Sequence, residues 1–295
     1  MKKVEHMISA STLNETELRS WIGRTAEAES LVTPANADVL TATLDRDEPA
    51  YGAGDEIPPG WHWYYFPERV KLSETAADGH ARKGSFMPPV PLPRRMWASD
   101  KQTYHRPLHI GEKIRRVSTV TDVAPKEGRS GALCFVTVKH EVFGEGGLAT
   151  TEELSTVYRG PADPNAAPPA PQPAPGKPVW RRPIHPTPVL LFRYSAVTMN
   201  SHRIHYDREY TTKVEGYPGL LVHGPLIATL LLDFFRRQMP KATLKTFQVR
   251  AVAPLYDTHD FELQGEPGAD GKSAKVWAVT HQGALAMAGE CGYAG

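Results

Sequence analysis

Cysteine is nearly missing from this chain: Cys134 and Cys291 are the two among 295 residues. Both fall in alternating, strand-like runs, so a disulfide scaffold is not expected and two buried thiols in a reducing setting are. A surplus of one charge is missing as well. Lys and Arg number 34 against 33 Asp and Glu, a net charge of +1. Such a balance gives no electrostatic reason to expect nucleic acid or an anionic membrane as partner. Long apolar runs are also lacking. The stretch Pro225 to Phe235 is interrupted by Asp233 and falls far short of the roughly 20 residues that span a bilayer. The basic start, Met1-Lys2-Lys3, has no apolar core behind it, so no signal peptide is expected and the cytoplasm is the expected compartment. With 40% hydrophobic and 23% charged residues, the composition is that of an ordinary globular protein.

Proline is plentiful where structure should be thin. Gly160 to Pro178 reads GPADPNAAPPAPQPAPGKP, with no apolar period, and is expected to be an extended spacer over 160–178. It separates a half of residues 1–159 from one of 179–295. The halves repeat one another weakly. Pro107-Leu108 precedes Gly128-Arg129-Ser130 and alternating runs at Leu133–Val142 and Leu148–Tyr158. Pro254-Leu255 precedes Gly271-Lys272-Ser273 and runs at Lys275–Thr280 and Ala284–Tyr293. Alternation predicts strands with one buried face, and on the last strand Leu285, Met287, Gly289, Cys291 and Tyr293 should share it. Two helices are predicted, one amphipathic over Asn14 to Ala28 with Leu18, Trp21 and Ile22 on a face. The other, over Pro225 to Gln238, is apolar around most of its girth and should be wrapped by a sheet. One buried helix inside a curled antiparallel sheet, twice over, is an α+β architecture.

Chemistry concentrates between Phe192 and Leu232, where Asn200, His202, His205 and His223 cluster around a turn ahead of the buried helix. His202 and His205 could be a metal pair, but no Cys or Glu stands at ligand spacing, so no metal is expected. Gly52-Ala53-Gly54 begins like a nucleotide fingerprint, yet Pro58-Pro59 follow where a helix should start, and it reads as a loop. The aromatic run Trp61 to Phe66 is expected to be core.

Three pieces of the second half, Ala196-Val197-Thr198-Met199-Asn200, His205-Tyr206-Asp207 and Leu221-Val222-His223-Gly224-Pro225, resemble the hydratase motif of the MaoC-like, type 2 enoyl-CoA hydratase family. The His-Arg-Ile-His-Tyr-Asp form and Glu215-Gly216-Tyr217-Pro218-Gly219 are closer to one subgroup. It holds mesaconyl-C4-CoA and itaconyl-CoA hydratases and mitochondrial 3-hydroxyacyl-thioester dehydratases. Trp61–Phe66 and Pro88–Trp97 carry the similarity into the first half. The resemblance implies a double hot-dog fold and a hydro-lyase that adds water reversibly to an enoyl-CoA, first of all a branched C5 dicarboxylic one. It also leaves open an (R)-3-hydroxyacyl-ACP or -CoA dehydratase and a hot-dog thioesterase.

On that resemblance His205 is the acid/base, because imidazole titrates near neutral pH. The Gly224 amide at the helix start would hold the developing oxyanion. The family's aspartate position is Asn200 here, and an amide cannot take up a proton. His205 therefore shuttles the proton alone or borrows a carboxylate, with Asp207 nearest in sequence, or water supplies both hydroxyl and proton. The first half's counterpart, Thr41 to Tyr51, has acids but no histidine, so one site per chain is expected. Arg94, Arg95, Arg193 and Arg203 are candidates for a free acyl carboxylate or coenzyme A phosphates, and His223 is expected chiefly to stabilise the turn. No cofactor is implied beyond coenzyme A as part of the substrate. One chain can close a hot-dog pair alone, and a homodimer stays open.

Overall fold

The computed structural model describes residues 13–128, 131–160 and 170–295. Residues 161–169 of the proline-rich stretch, and Arg129 and Ser130 of the first repeat's turn, lie outside the described residues. The chain runs α1 (Glu15–Arg19), β1 (Thr25–Leu31), α2 (Pro34–Thr43), β2 (Arg94–Tyr104), β3 (Lys113–Gly128), β4 (Gly131–Gly144) and β5 (Gly147–Arg159). After the proline-rich stretch come β6 (Trp180–Ile184), α3 (Pro188–Thr198), α4 (Gly224–Gln238), β7 (Thr243–Ala251), β8 (Phe261–Pro267), β9 (Ser273–Val279) and β10 (Leu285–Ala294). The four alternating runs expected from the sequence are β4, β5, β9 and β10.

The predicted helix over Asn14 to Ala28 is a five-residue turn of helix followed by a strand. Asn14 caps α1 by accepting from the Glu17 N–H, and Gly23, at φ 89°, turns the chain out of it. Residues Thr25 to Leu31 then pair antiparallel with β3, with exposure alternating along them. Helices α2 and α3, not foreseen, both begin with a proline behind a threonine, Thr33-Pro34 and Thr187-Pro188.

All ten strands form one antiparallel sheet in the order β1-β3-β4-β5-β2-β7-β10-β9-β8-β6. Counted within itself, each side of the sheet has the same order: first, third, fourth, fifth, second strand. The sides meet where Ser99–Thr103 of β2 pairs with Arg250–Thr246 of β7. The sheet gathers round α4, whose residues Leu226 to Phe235 are all buried. This is the α+β double hot-dog expected. Burying a Leu, Ile or Phe side chain contributes roughly 1.5–3 kcal/mol, and α4 presents Leu226, Ile227, Leu230, Leu231, Phe234 and Phe235 to the core. The long helix belongs to the second side. In the first, Gly60 at φ 85° opens a 3₁₀ turn over Trp61–Tyr65. A Cβ on Gly60 would lie 2.6 Å from Leu232 Cδ1, so this turn packs directly on α4. Trp61, Tyr64 and Tyr65 are core, as expected.

Two features qualify the simple pattern. On β10 a bulge between Leu285 and Met287 sends Leu285 to the outer cluster with Trp277 and Val279, while Met287, Cys291 and Tyr293 face α4. Asp233, the charge that interrupts the apolar run, is enclosed on α4 and accepts from Arg46, Arg182 and Arg237 at 2.6–2.8 Å. A buried carboxylate is tolerable because it is fully paired. Cys134 and Cys291 are free and buried. Among the described residues no helix is long and apolar enough to cross a membrane.

Candidate active site

The turn that carries Asn200, His202 and His205 lies between α3 and α4 and is built largely from backbone contacts. Met199 leaves α3 in the left-handed region, and Asn200 N–H returns to Ser195 O at 2.9 Å. Asn200 Oδ1 then accepts from the His202 N–H at 3.0 Å, an Asx turn that starts the 3₁₀ segment Arg203–His205. Leu221 N–H donates to Ile204 O, so the strand-like Leu220–Val222 is laced to the turn.

His205 sits at the centre of this arrangement with 8% of its surface exposed. Its Nδ1 lies 2.8 Å from Leu221 O. A carbonyl can only accept, so Nδ1 carries the proton and Nε2 presents a lone pair. Burial pushes its pKa down to about 4, against the Leu221 carbonyl, which raises it, and with the charge of His80, which lowers it further. The ring is a neutral base at neutral pH. It stacks on His223 at 3.6 Å and meets His202 edge-on at 5.4 Å.

His223 is fully buried and is the residue before α4. Its Nε2 is 2.8 Å from Ser195 Oγ on α3, while its Nδ1 has no partner. Burial, then the neighbouring His205 and His202, keep it neutral. It joins α3 to the start of α4. Gly224 follows at the first position of α4. Its N–H has no acceptor among the described residues, and Pro225 behind it has no N–H to offer. A Cβ at Gly224 would lie 3.1–3.4 Å from Trp97 of β2, tighter than ordinary contact, so glycine lets the helix start meet the first half.

The arginines separate clearly. Arg193 lies exposed on α3 and donates to Thr43 of α2 at 3.2 Å. Arg203 pairs with Asp207 at 2.7 Å and covers Tyr210. Arg94 pairs with Glu215. Arg95 has no carboxylate partner among the described residues, and its charge acts on His80, His202 and Tyr158. Asp207 is committed too: besides Arg203 it accepts from the Tyr210 N–H at 3.0 Å. It is a turn-former, and the expectation that it could lend His205 a carboxylate is not met.

What sequence reasoning missed is a loop of the first half. Residues Ala76 to Ala81 reach the turn that carries His205: Arg203 N–H donates to Asp78 O at 2.9 Å, and Ser201 Oγ donates to Gly79 O. Gly79, at φ 92°, has Ser201 O 1.9 Å from where a Cβ would be, so only glycine permits this docking. The loop delivers His80, whose ring lies 3.9 Å from that of His202. Asp78 Oδ1 accepts from the His80 N–H, and Oδ2 stands 3.1 Å from His80 Nδ1. Burial alone would raise Asp78, but the hydrogen bond and charge of His80 outweigh it and hold Asp78 below the usual carboxylate range. Burial lowers His80 despite Asp78.

Asp78, His80 and His202 bring ligating atoms within 4.8 Å of one another. The carboxylate is already engaged by His80, and Arg95 and Lys83 contribute positive charge to the same neighbourhood. That field opposes a cation.

The fold and this turn define a class. The model of the family "Hydroxyacyl-thioester dehydratase type 2" matches residues 60–257, a span that contains Asp78, His80, His205 and Gly224, and the chain belongs to that family of MaoC-like hydro-lyases. Among its relatives, the mesaconyl-C(4)-CoA hydratase of Chloroflexus aurantiacus is 42% identical over 261 residues, 88% of this chain and 92% of the relative. The mitochondrial hydroxyacyl-thioester dehydratase type 2 of Schizosaccharomyces pombe is 27% identical, over 77% of this chain and 85% of its own. Solved structures share the fold at low identity. HtdX of Mycobacterium tuberculosis has a TM-score of 0.64 at 18% identity, covering 91% of this chain and 98% of its own. A protein of the same organism, described as having a double hotdog fold, has a TM-score of 0.54 at 15% identity, covering 97% and 98%.

Proposed function

We propose that the protein hydrates an enoyl-CoA reversibly, with a branched C5 dicarboxylic acyl group such as mesaconyl-C4- or itaconyl-CoA as substrate. The observation that carries this is the tautomer of His205: Nδ1–H fixed on Leu221 O leaves Nε2 as a base beside the start of α4. In hydration Nε2 takes a proton from water as the oxygen bonds to Cβ. The π electrons move onto the thioester oxygen, and a proton is added at Cα. The enolate-like oxygen is met by the Gly224 N–H, where the unpaired amide and the helix dipole both favour negative charge. Asn200 supports the turn through its carbonyl oxygen and has its NH₂ left for the water. Residues 160–178 connect the halves, with Gln172 O accepting from the Leu285 N–H, and the first half contributes Trp97 and the docked loop instead of a second complete site.

The dicarboxylic preference is supported by the 42% identical relative and by Arg95, a guanidinium without an acid partner near the imidazoles. Asp207 and Glu215 neutralise the other two arginines of this region. The chemistry proceeds on imidazoles and amides, with coenzyme A entering only as part of the substrate. The cytoplasm suits both that substrate and two free thiols.

A panel of enoyl-CoAs and 3-hydroxyacyl-CoAs, read by mass spectrometry, tests the proposal. Gain or loss of one water with the thioester intact is expected, fastest for the C5 dicarboxylic members. Release of free thiol, or no turnover of any enoyl thioester, would overturn it.

A further inference from the structure

Asn200 cannot take up a proton, Asp207 is locked to Arg203, and yet hydration moves one proton off water and another onto Cα. The only Asp–His pair that the described residues bring to the catalytic turn is in the loop of the first half. We propose that His80 is a second catalytic acid/base, the one that exchanges the Cα proton, and that Asp78 is its positioning residue.

The loop is docked by three contacts that do not involve the His80 ring: Arg203 N–H to Asp78 O, Ser201 Oγ to Gly79 O, and Gly79 closed against Ser201. These fix where His80 stands. Asp78 takes Nδ1–H, which leaves Nε2 as the working atom, and its negative charge stabilises the imidazolium that forms when Nε2 is protonated. His202 touches both rings, tilted against His80 at 3.9 Å and edge-on to His205 at 5.4 Å. It has no hydrogen-bond partner for its own ring among the described residues, so it spaces the two bases apart. The charged groups acting on His80 are Asp78 and Glu68, negative, and Arg95, positive. Arg95 is placed to draw an acyl carboxylate to the same side.

The steps balance. In dehydration His80 Nε2 removes the Cα proton, the C–H electron pair forms the enolate held at the Gly224 amide, and the Cβ–O bond breaks as protonated His205 gives its proton to the leaving hydroxyl. Water departs, and the proton now on His80 is lost to solvent while His205 regains one. Hydration is the reverse, with His205 taking the water proton and His80 delivering one to Cα.

This rests on the hydratase reading, and the experiment separates the two. Wild type, His80→Gln, Asp78→Asn and His205→Asn are assayed on mesaconyl-C4-CoA or whichever enoyl-CoA the wild type turns over. Their 3-hydroxyacyl-CoA is also incubated in D₂O to follow deuterium entry at Cα. For His80→Gln a kcat about 10²–10⁴-fold down is expected, with KM within about threefold and substrate still bound. Deuterium entry at Cα should be lost in His80→Gln and retained in His205→Asn. His80→Ala should recover part of its rate on addition of imidazole, which a structural role would not allow. Should His80→Gln fail to fold, Asp78→Asn, which keeps the loop backbone contacts, carries the same readings. The inference is overturned by a His80→Gln kcat within about threefold of wild type, by exchange lost equally in both histidine variants, or by a stoichiometric metal ion in the purified wild type that chelation removes together with activity. A wild type inactive on every enoyl thioester sinks the underlying reading instead.

Discussion

Replacing His205 by Asn separates the two things its ring does. Nδ1–H satisfies the buried Leu221 carbonyl at 2.8 Å, and Nε2 is the proposed base. The Asn side-chain NH₂ stands where Nδ1–H stood, so the carbonyl keeps a donor while the base is gone. Leaving a buried carbonyl unpaired costs about 1–3 kcal/mol, a loss that His205→Ala should suffer and His205→Asn should not. Losing the base should lower kcat about 10²–10⁴-fold, or about 2.7–5.4 kcal/mol of barrier at 1.36 kcal/mol per tenfold. The assay follows the conjugated enoyl absorbance at saturating substrate, with thermal melts of both variants alongside. The wild-type pH profile adds a second reading. Because burial holds His205 at about 4, its neutral form dominates above that pH. Its base function should persist from pH 7 down to 5 and fail only near 4, well below the midpoint of a free imidazole. An Asn variant that keeps more than about a third of wild-type kcat would refute the assignment, however the melts came out.

The remaining expectations concern stability and specificity. Asp233→Asn leaves Arg46, Arg182 and Arg237 without their shared carboxylate and should cost about 3 kcal/mol. That is the lower end for a broken buried pair, because Glu48 still holds Arg46; a denaturant midpoint unchanged from wild type would contradict it. His140, half-buried, and His205, buried, are both held at about 4 by desolvation and bind protons more weakly folded than unfolded. Stability is therefore full above pH 6.5 and falls as pH drops from there towards 4, by up to about 1.4 kcal/mol per pH unit for each group. A melting temperature flat from pH 7 to 4.5 would count against this. Arg95→Gln should raise KM at least about tenfold for a dicarboxylic acyl-CoA and leave that for a monocarboxylic enoyl-CoA nearly unchanged; equal effects on both would remove Arg95 from carboxylate binding.

The second half was readable because its signals are local. His205, His223 and Gly224 fall within 20 residues of one another, and an apolar run behind a proline announces α4. The strand pairs flanking Gly144–Gly147 and Gln282–Gly283 declare themselves by alternation. The first half was harder. Leu18, Trp21 and Ile22 are spaced as on a helix, but Gly23 and the seven pairings of β1 with β3 override that spacing. Helices α2 and α3 had a usable signal, Thr-Pro at the same place in each repeat, obscured by β-rich surroundings. His80 had almost none. It stands in a loop of glycine, serine and proline, and its place beside His202 comes from contacts with residues more than 120 positions away, which no local pattern encodes.

The docking of Gly79 against Ser201 ties the two copies of this repeat together in a way their shared sheet does not. Strands β2 and β7 could stay paired through many changes of side chain, since backbone makes the ladder. The loop has no such tolerance, because a single methyl group at position 79 would collide with the turn that holds His205. On the proposed chemistry the two halves divide the labour, the first answering through this loop for what the second carries out. Damage to a surface loop there should read out as lost turnover before it reads out as lost fold.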